Sequence, residues 1–452
     1  MRFIGIDVGA TFIKGAVLDP GQGRVEEVVR RPFPAFVPGL PKLYREVPIT
    51  PVLQAVREVA EEFARLAPDC GGLLVCGQMH GAAFVSERGA ALSNFISWQD
   101  QRARLLAPGR DNSCLQALQE LVPPAVCQTT GNELTRQGIT LSLLFAMRLL
   151  GQSWNREAVI CSLPDCIVAG LCGSAPVTEP TNAAGCGCMH LAQENWHLEL
   201  LESLGLGDVR LPRIVPTFTQ AGIVSLAGKE MPCYVAIGDQ QAALLGVDLQ
   251  TDELSLNIAT GSQVSLLAHD VQAGEYQVRP FFGGRYLRTI THLPAGRSLN
   301  LLVRMLTEMS GDNEALSNQP WKRMETLAVV AGVSDLSVDL SFYSTALGES
   351  GSICNIREDN LSAGGLFRAS LQSMARNYYE CACRLSPQRT WKRIAFSGGL
   401  IQKSALLREC IMERFECPSR ISTDADETLT GLMRMARESM ILSGGAPNTK
   451  AG

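Results

Sequence analysis

IGIDVGATFIKGAVLD, Ile4 to Asp19, reads as an apolar strand, a short turn and a second apolar strand. The turn carries an acid, a glycine and a hydroxyl (Asp7, Gly9 and Thr11), where a tight hairpin ordinarily needs only Asn-Gly or Asp-Gly. A second stretch echoes it far along the chain. LSLNIATGSQVSLL, Leu254 to Leu267, is again strand, small hydroxyl-rich turn and strand, with Thr260, Gly261 and Ser262 at its centre. Two such hairpins predict two related domains facing one another, with the crossing point at Gly238 to Gly246.

The totals agree with that reading. A chain of 452 residues is long for one core, and 46% apolar with 19% charged residues is the balance of a folded globular protein. A net charge of −5 gives no electrostatic case for nucleic acid or an acidic membrane surface. The apolar stretch Ile139 to Met147 is cut by Arg148, well short of a membrane span. Arg2 leads into a strand pattern rather than a secretory segment, so the 15 cysteines are expected as reduced thiols in a cytoplasmic protein. Cys186-Gly-Cys188-Met-His190 lacks zinc-site spacing and a second ligand pair, and no metal is expected there.

Prolines 32, 34, 38, 41, 48 and 51 exclude a continuous helix or central strand and predict an extended surface loop. Thr50-Pro51 then reads as an N-cap with proline at the first helical position. Leu53, Val56, Ala60 and Phe63 follow at helical spacing, and Leu73–Cys76 is a short buried strand. Strands alternating with helices make the fold class α/β.

Phosphate chemistry gives both hairpins a purpose. Glycine lets backbone N–H groups approach phosphate oxygens, and Thr or Ser adds donors. Asp7 is a hard oxygen ligand for Mg²⁺ or caps its own turn, and the second hairpin favours the former. Lys14 could bring positive charge to the transferred group. Gly398-Gly399, between a strand and a helical pattern from Ser404 to Phe415, would let a nucleotide base lie flat on the backbone. Gln78 and His80, in Gly77-Gln-Met-His-Gly81, are expected on an exposed loop at a strand's carboxyl end, where amide and imidazole can address sugar hydroxyls. Trp98, Asp100 and Arg102 in ISWQDQR offer a further sugar-binding edge. Asp239 follows the strand Tyr234–Ile237 and opens a helix at Gln240. It can cap that helix, accept a proton from an attacking alcohol, or do both.

Taken together, GIDVGAT (5–11), GQMHG (77–81), SWQDQR (97–102), GDQQAALLG (238–246), NIATGSQ (257–263) and SGGL (397–400) resemble the FGGY carbohydrate kinases, spanning nearly the whole chain in family order. The resemblance implies two actin-like (ribonuclease H-like) domains with a cleft between them. Residues 1–245 would bind sugar, 246–442 nucleotide, and 443–452 would form a disordered tail. It further implies ATP with Mg²⁺ and phosphorylation of a sugar hydroxyl. Asp239 becomes the base, Gln78, Met79, His80 and Gln240 become sugar contacts, and the 5–11 and 257–263 turns hold phosphates. QMHG, PFFGGRY (280–286) and TALGES (345–350) are similar to the ketose kinases, sedoheptulokinases ahead of xylulokinases. Ala10 and Phe12 stand where the family often has hydroxyls, and Ser404 where an Asn often meets the nucleotide. The family's Lys and Trp signature is not recognisable in GITLSLLFAMRLL (138–150). A catalytically silent sugar sensor would be expected to lose Asp239, and an actin-like ATPase would have no use for QMHG or SWQDQR.

Overall fold

The computed structural model describes residues 1–133, 138–308, 319–343, 345–422 and 426–444. The chain forms two compact α/β units. The first comprises 1–248, 269–286 and 424–452, and the second 249–268 and 287–423. Of the tail expected at 443–452, residues 443 and 444 instead end the helix Glu427–Gly444, and the rest lies outside the described residues.

In the first unit Arg2–Val8 pairs antiparallel with Phe12–Asp19, which pairs with Arg24–Pro32. On its other side Arg2–Val8 runs parallel to Cys70–Gly77, and that strand is parallel to Ile237–Gly238. Strands buried on both faces need no alternation of polar and apolar residues, which is why FIGIDV and LLVCG are nearly continuous apolar runs. The helix Ile49–Leu66 packs its Val52, Val56, Val59 and Phe63 into this core. It starts at Ile49 after Pro48, so Thr50 is inside the helix rather than its N-cap. The proline-rich loop is interrupted by Glu46–Val47, which pairs with Phe95–Ser97. A second apolar cluster gathers around the helices Cys114–Leu121 and Ile139–Leu149.

The second unit repeats the plan. Glu253–Ile258 pairs antiparallel with Ser262–Ala268, and on its other side runs parallel to Arg393–Ser397, itself parallel to Ser419–Ile421. Each unit thus places a hairpin's first strand against a parallel neighbour. The helix Ala363–Leu385 covers the sheet with Phe367, Leu371, Met374 and Tyr378.

The helix Glu427–Gly444 belongs to the first unit, where it packs on Asp239–Gly246. The two backbones approach closely. A Cβ on Gly431 would lie 1.8 Å from the Ala242 carbonyl oxygen, and one on Gly246 would lie 1.9 Å from that of Glu427. Only glycine fits at either crossing.

Candidate active site

Register assembles the first unit's polar residues. Val8 lies opposite Gly77, and Gly77 opposite Gly238, so three adjacent parallel strands end at one level. The next residues are Gly9, Gln78 and Asp239. Carboxyl ends of parallel strands are where α/β proteins commonly hold ligands. Asp7 lies one residue inside this edge, directly across from Lys14.

Asp7 and Lys14 are held by groups from far along the chain. Lys14 Nζ lies 3.2 Å from Asp7 Oδ2 and 3.5 Å from Asp426 Oδ1. Thr428 Oγ1 donates to Asp7 Oδ2 at 2.7 Å, and Arg30 Nη2 donates to Asp426 at 2.6 and 2.8 Å. Burial by itself would depress the Lys14 ammonium, but Asp7 and Asp426 outweigh it and raise its pKa, so it stays charged. The other oxygen of Asp7, Oδ1, is buried without a hydrogen-bond partner. An orphaned carboxylate oxygen beside one lysine fits a hydrated divalent cation shared with phosphates. Among the described residues no group of three His, Cys, Asp or Glu side chains forms a protein-only metal cage, and Mg²⁺ does not require one.

Asp239 is half-buried at the first position of its helix, with Gly238 as N-cap. Its Oδ1 accepts from the Gln240 N–H at 2.8 Å. Burial, reinforced by the negative charge of Asp7, lifts the Asp239 carboxyl to about 6. Such a group is ionised at neutral pH and more basic than an ordinary carboxylate.

The Gln78–His80 segment is more enclosed than its glycines suggest. Gln78 and Met79 are buried, at 5% and 3% exposure, and Gln78 Nε2 has no hydrogen-bond partner. His80 Nδ1 lies 2.9 Å from the Gly185 carbonyl oxygen, which puts a proton on Nδ1. Trp98 and Gln240 are half-buried. Asp100 is not available to a sugar. Its Oδ1 accepts from Arg102 N and Nε, both at 2.9 Å, and its Oδ2 from Arg45 N and Arg102 Nη2. These four bonds fill the carboxylate, so the side chain orders the loop.

In the second unit the tip residues Thr260 and Gly261 are exposed, as is Gly399, with Gly398 half-buried beside it. Gly398 has φ +93°, and a Cβ there would lie 2.5 Å from the Ile258 carbonyl oxygen, so the strand-to-helix turn supports the neighbouring hairpin only as glycine. Ser262 turns inward. Its hydroxyl is 3.3 Å from the Leu293 and Pro294 carbonyl oxygens and accepts from Tyr378 Oη at 3.0 Å. Ser404 caps the helix Ala405–Phe415, accepting from Leu407 N, and donates to Glu325 Oε1 at 2.6 Å. Both hydroxyls are therefore structural, whereas the sequence offered them to the nucleotide. In the first turn Gly9 is half-buried, Thr11 is exposed, and the Gly9 N–H bonds Phe12 O at 3.1 Å.

Residues 2–246 match the N-terminal domain of the FGGY family of carbohydrate kinases. The chain belongs to that family. Its enzymatic class follows: it is a sugar kinase, in a family of kinases that use ATP. This FGGY kinase is 26% identical to human sedoheptulokinase, over 96% of this chain and 97% of that one. It is 26% identical to the xylulose kinase of Staphylococcus xylosus over 48% of this chain and 44% of the relative. The xylulose kinase structure from Rhodospirillum rubrum shares its fold, with a TM-score of 0.83 at 20% identity, covering 100% of this chain and 91% of that one. The Plasmodium falciparum glycerol kinase solved with ADP matches with a TM-score of 0.78 at 14% identity, over 97% and 90% of the two chains. Among the described residues no helix of the FGGY kinase is long and apolar enough to cross a membrane.

Asp426, Thr428 and Arg30 went unread in the sequence. The one local signal is the acidic run DADET at 424–428, which precedes a helical pattern.

Proposed function

We propose that this FGGY kinase transfers the γ-phosphoryl group of ATP to a primary hydroxyl of a ketose, sedoheptulose ahead of xylulose. The observation that carries the reading is the basic Asp239 beside Asp7, Lys14 and the unpartnered amide of Gln78 at one strand edge. Gln78, Met79, His80, Trp98 and Gln240 orient the sugar, and Asp239 takes the proton of the attacking hydroxyl. As the new P–O bond forms, the bond to the β-phosphate oxygen breaks and ADP leaves. Lys14 balances charge on the transferred group, positioning and electrostatics being the main contributions a protein makes to phosphoryl transfer. Mg²⁺, held through Asp7, would neutralise charge on the β- and γ-phosphates. The turns at Gly9–Thr11, Thr260–Gly261 and Gly398–Gly399 present backbone N–H groups to phosphates and nucleotide. Gln78, Met79, His80, Trp98 and Gln240, offered to the sugar, belong to the first unit, and the Thr260–Gly261 and Gly398–Gly399 turns, offered to the nucleotide, belong to the second; the units interleave along the chain rather than dividing at residue 246. Preference for a seven-carbon ketose rests on the near full-length similarity to human sedoheptulokinase.

ADP release measured across ketoses, heptuloses and polyols tests the proposal. The expected result is the highest kcat/KM for sedoheptulose, with phosphate on a terminal carbon by ³¹P NMR. Sugar-independent ATP hydrolysis alone would overturn it.

A further inference from the structure

The short helix Pro180–Gly185 takes no part in the chemistry described above, yet it is bonded to both halves of the site. At its C-terminal end the Gly185 carbonyl oxygen accepts from His80 Nδ1 at 2.9 Å. At its other end Thr181 Oγ1 accepts from the Gly238 N–H at 2.8 Å. Asn182 Nδ2 donates to Ala236 O at 2.9 Å and to Asp165 Oδ1 at 3.3 Å. The backbone immediately before Asp239 is thus clamped at two points. The Gly238 N–H can only donate, so the Thr181 hydroxyl is the acceptor, and its own proton goes to Glu179. That carboxyl is wholly buried, and its Oε1 accepts the Thr181 hydroxyl proton as well as the Thr181 N–H at 2.9 Å and the Asn182 N–H at 3.3 Å. The hydroxyl is thus fixed from both sides, accepting from Gly238 and donating to Glu179. Met79 is wedged into the same corner. A Cβ on Gly238 would fall 2.5 Å from Met79 Cε, and one on Gly185 would fall 2.9 Å from Met79 O.

We propose that the Pro180–Gly185 helix is an alignment block that sets the distance between Asp239 and the sugar-holding Gln78–His80 segment, with Thr181 as its positioning residue. The inference rests on the kinase reading of Asp239. Its physical basis is that misplacing a reacting group by about 1 Å can lower a rate by about 10²-fold, whereas binding tolerates more. A residue that only aligns should therefore move kcat and leave sugar affinity alone.

The test compares Thr181→Val, Thr181→Ser and Asp239→Asn with the wild type, reading kcat at saturating sugar and ATP, and sugar Kd by calorimetry. Thr181→Val is expected to lower kcat by about tenfold to a hundredfold with Kd within about threefold, and Thr181→Ser to restore it. Thr181→Ala removes the same hydroxyl without new bulk and takes the place of a Val variant that does not fold. Loss of Kd and kcat together, or a Ser variant as slow as the Val variant, would overturn the proposal. Full kcat in Thr181→Val beside a crippled Asp239→Asn sinks the alignment role alone. Full kcat in Asp239→Asn sinks the kinase reading of that carboxylate instead. Amide exchange gives a check on wild-type protein: the Gly238 N–H should be protected, and rapid exchange there would also overturn the clamp.

Discussion

Asp239 owes its basicity to its surroundings, and they fix how its chemistry responds to pH. Burial disfavours the charged form, and Asp7 adds repulsion, so the carboxyl titrates near 6. A general base works only when deprotonated. kcat/KM should therefore be level above pH 7, lose about half its value near pH 6, and fall about tenfold for each further unit. Asp7→Asn removes the repelling charge, so the Asp239 carboxyl should titrate lower, a shift readable by ¹³C NMR of labelled aspartate. An acid limb unmoved from the ordinary carboxylate range would separate Asp239 from catalysis. At this scale the sequence was legible in part. Asp239 stood out because a glycine breaks a strand just before it. Asp100 looked equally polar, yet its four lone pairs are filled, one by the N–H of Arg45, which a reading of adjacent residues cannot bring alongside.

The glycine turns show what can be read from an element and what cannot. Both hairpins were legible because their turns interrupt apolar runs of strand length. Which hydroxyl faces outward was not, because that depends on where the ladder resumes. Ser262 is already paired with Ile258, so its side chain follows the sheet and meets Tyr378 instead of solvent. Gly398 provides the test of the second turn. An alanine there is strained at φ +93° and pushes on the Ile258 carbonyl. Gly398→Ala should weaken ATP binding about fivefold in calorimetry and leave sugar binding within twofold, an estimate on the order of 1 kcal/mol for one strained backbone position. Equal losses for both ligands would mean that the turn serves folding in general. The helix crossing makes a second prediction at this scale. Gly431→Ala places a methyl on the Ala242 carbonyl oxygen and should destabilise the protein by about 1–3 kcal/mol, seen as a lower Tm. Because Thr428 is on the displaced helix, activity should fall in the same variant even where it remains folded.

At the scale of the molecule, the order of motifs along the chain was enough to indicate two α/β units, and the comparisons agree on the fold. What stayed hidden is that the first unit is assembled from three separate segments. No spacing rule connects residues 421 positions apart, so the bond from Thr428 to Asp7 could be found only in three dimensions. The sequence shows which residues resemble a site, but long-range packing decides which of them are held in place.

That discontinuity bears on how the protein is made. At translation rates of roughly 5–20 residues per second, about 20–85 s separate the synthesis of Asp7 from that of Thr428. Throughout that interval the nascent chain can form the hairpin at Asp7 and the strands beside it, but it lacks the helix that covers Asp239–Gly246. Once made, the apolar residues on that face, Ala242 and Leu245 among them, stay open to solvent and to chaperones until that helix arrives. Late closure by a segment hundreds of residues away is slow, because a long loop must be ordered before any contact is gained. From the synthesis of Asp239 until that of Thr428, a ribosome-bound chain therefore carries the proposed base without the contacts that complete the site, and phosphoryl transfer should begin only once translation has passed the Glu427–Gly444 helix.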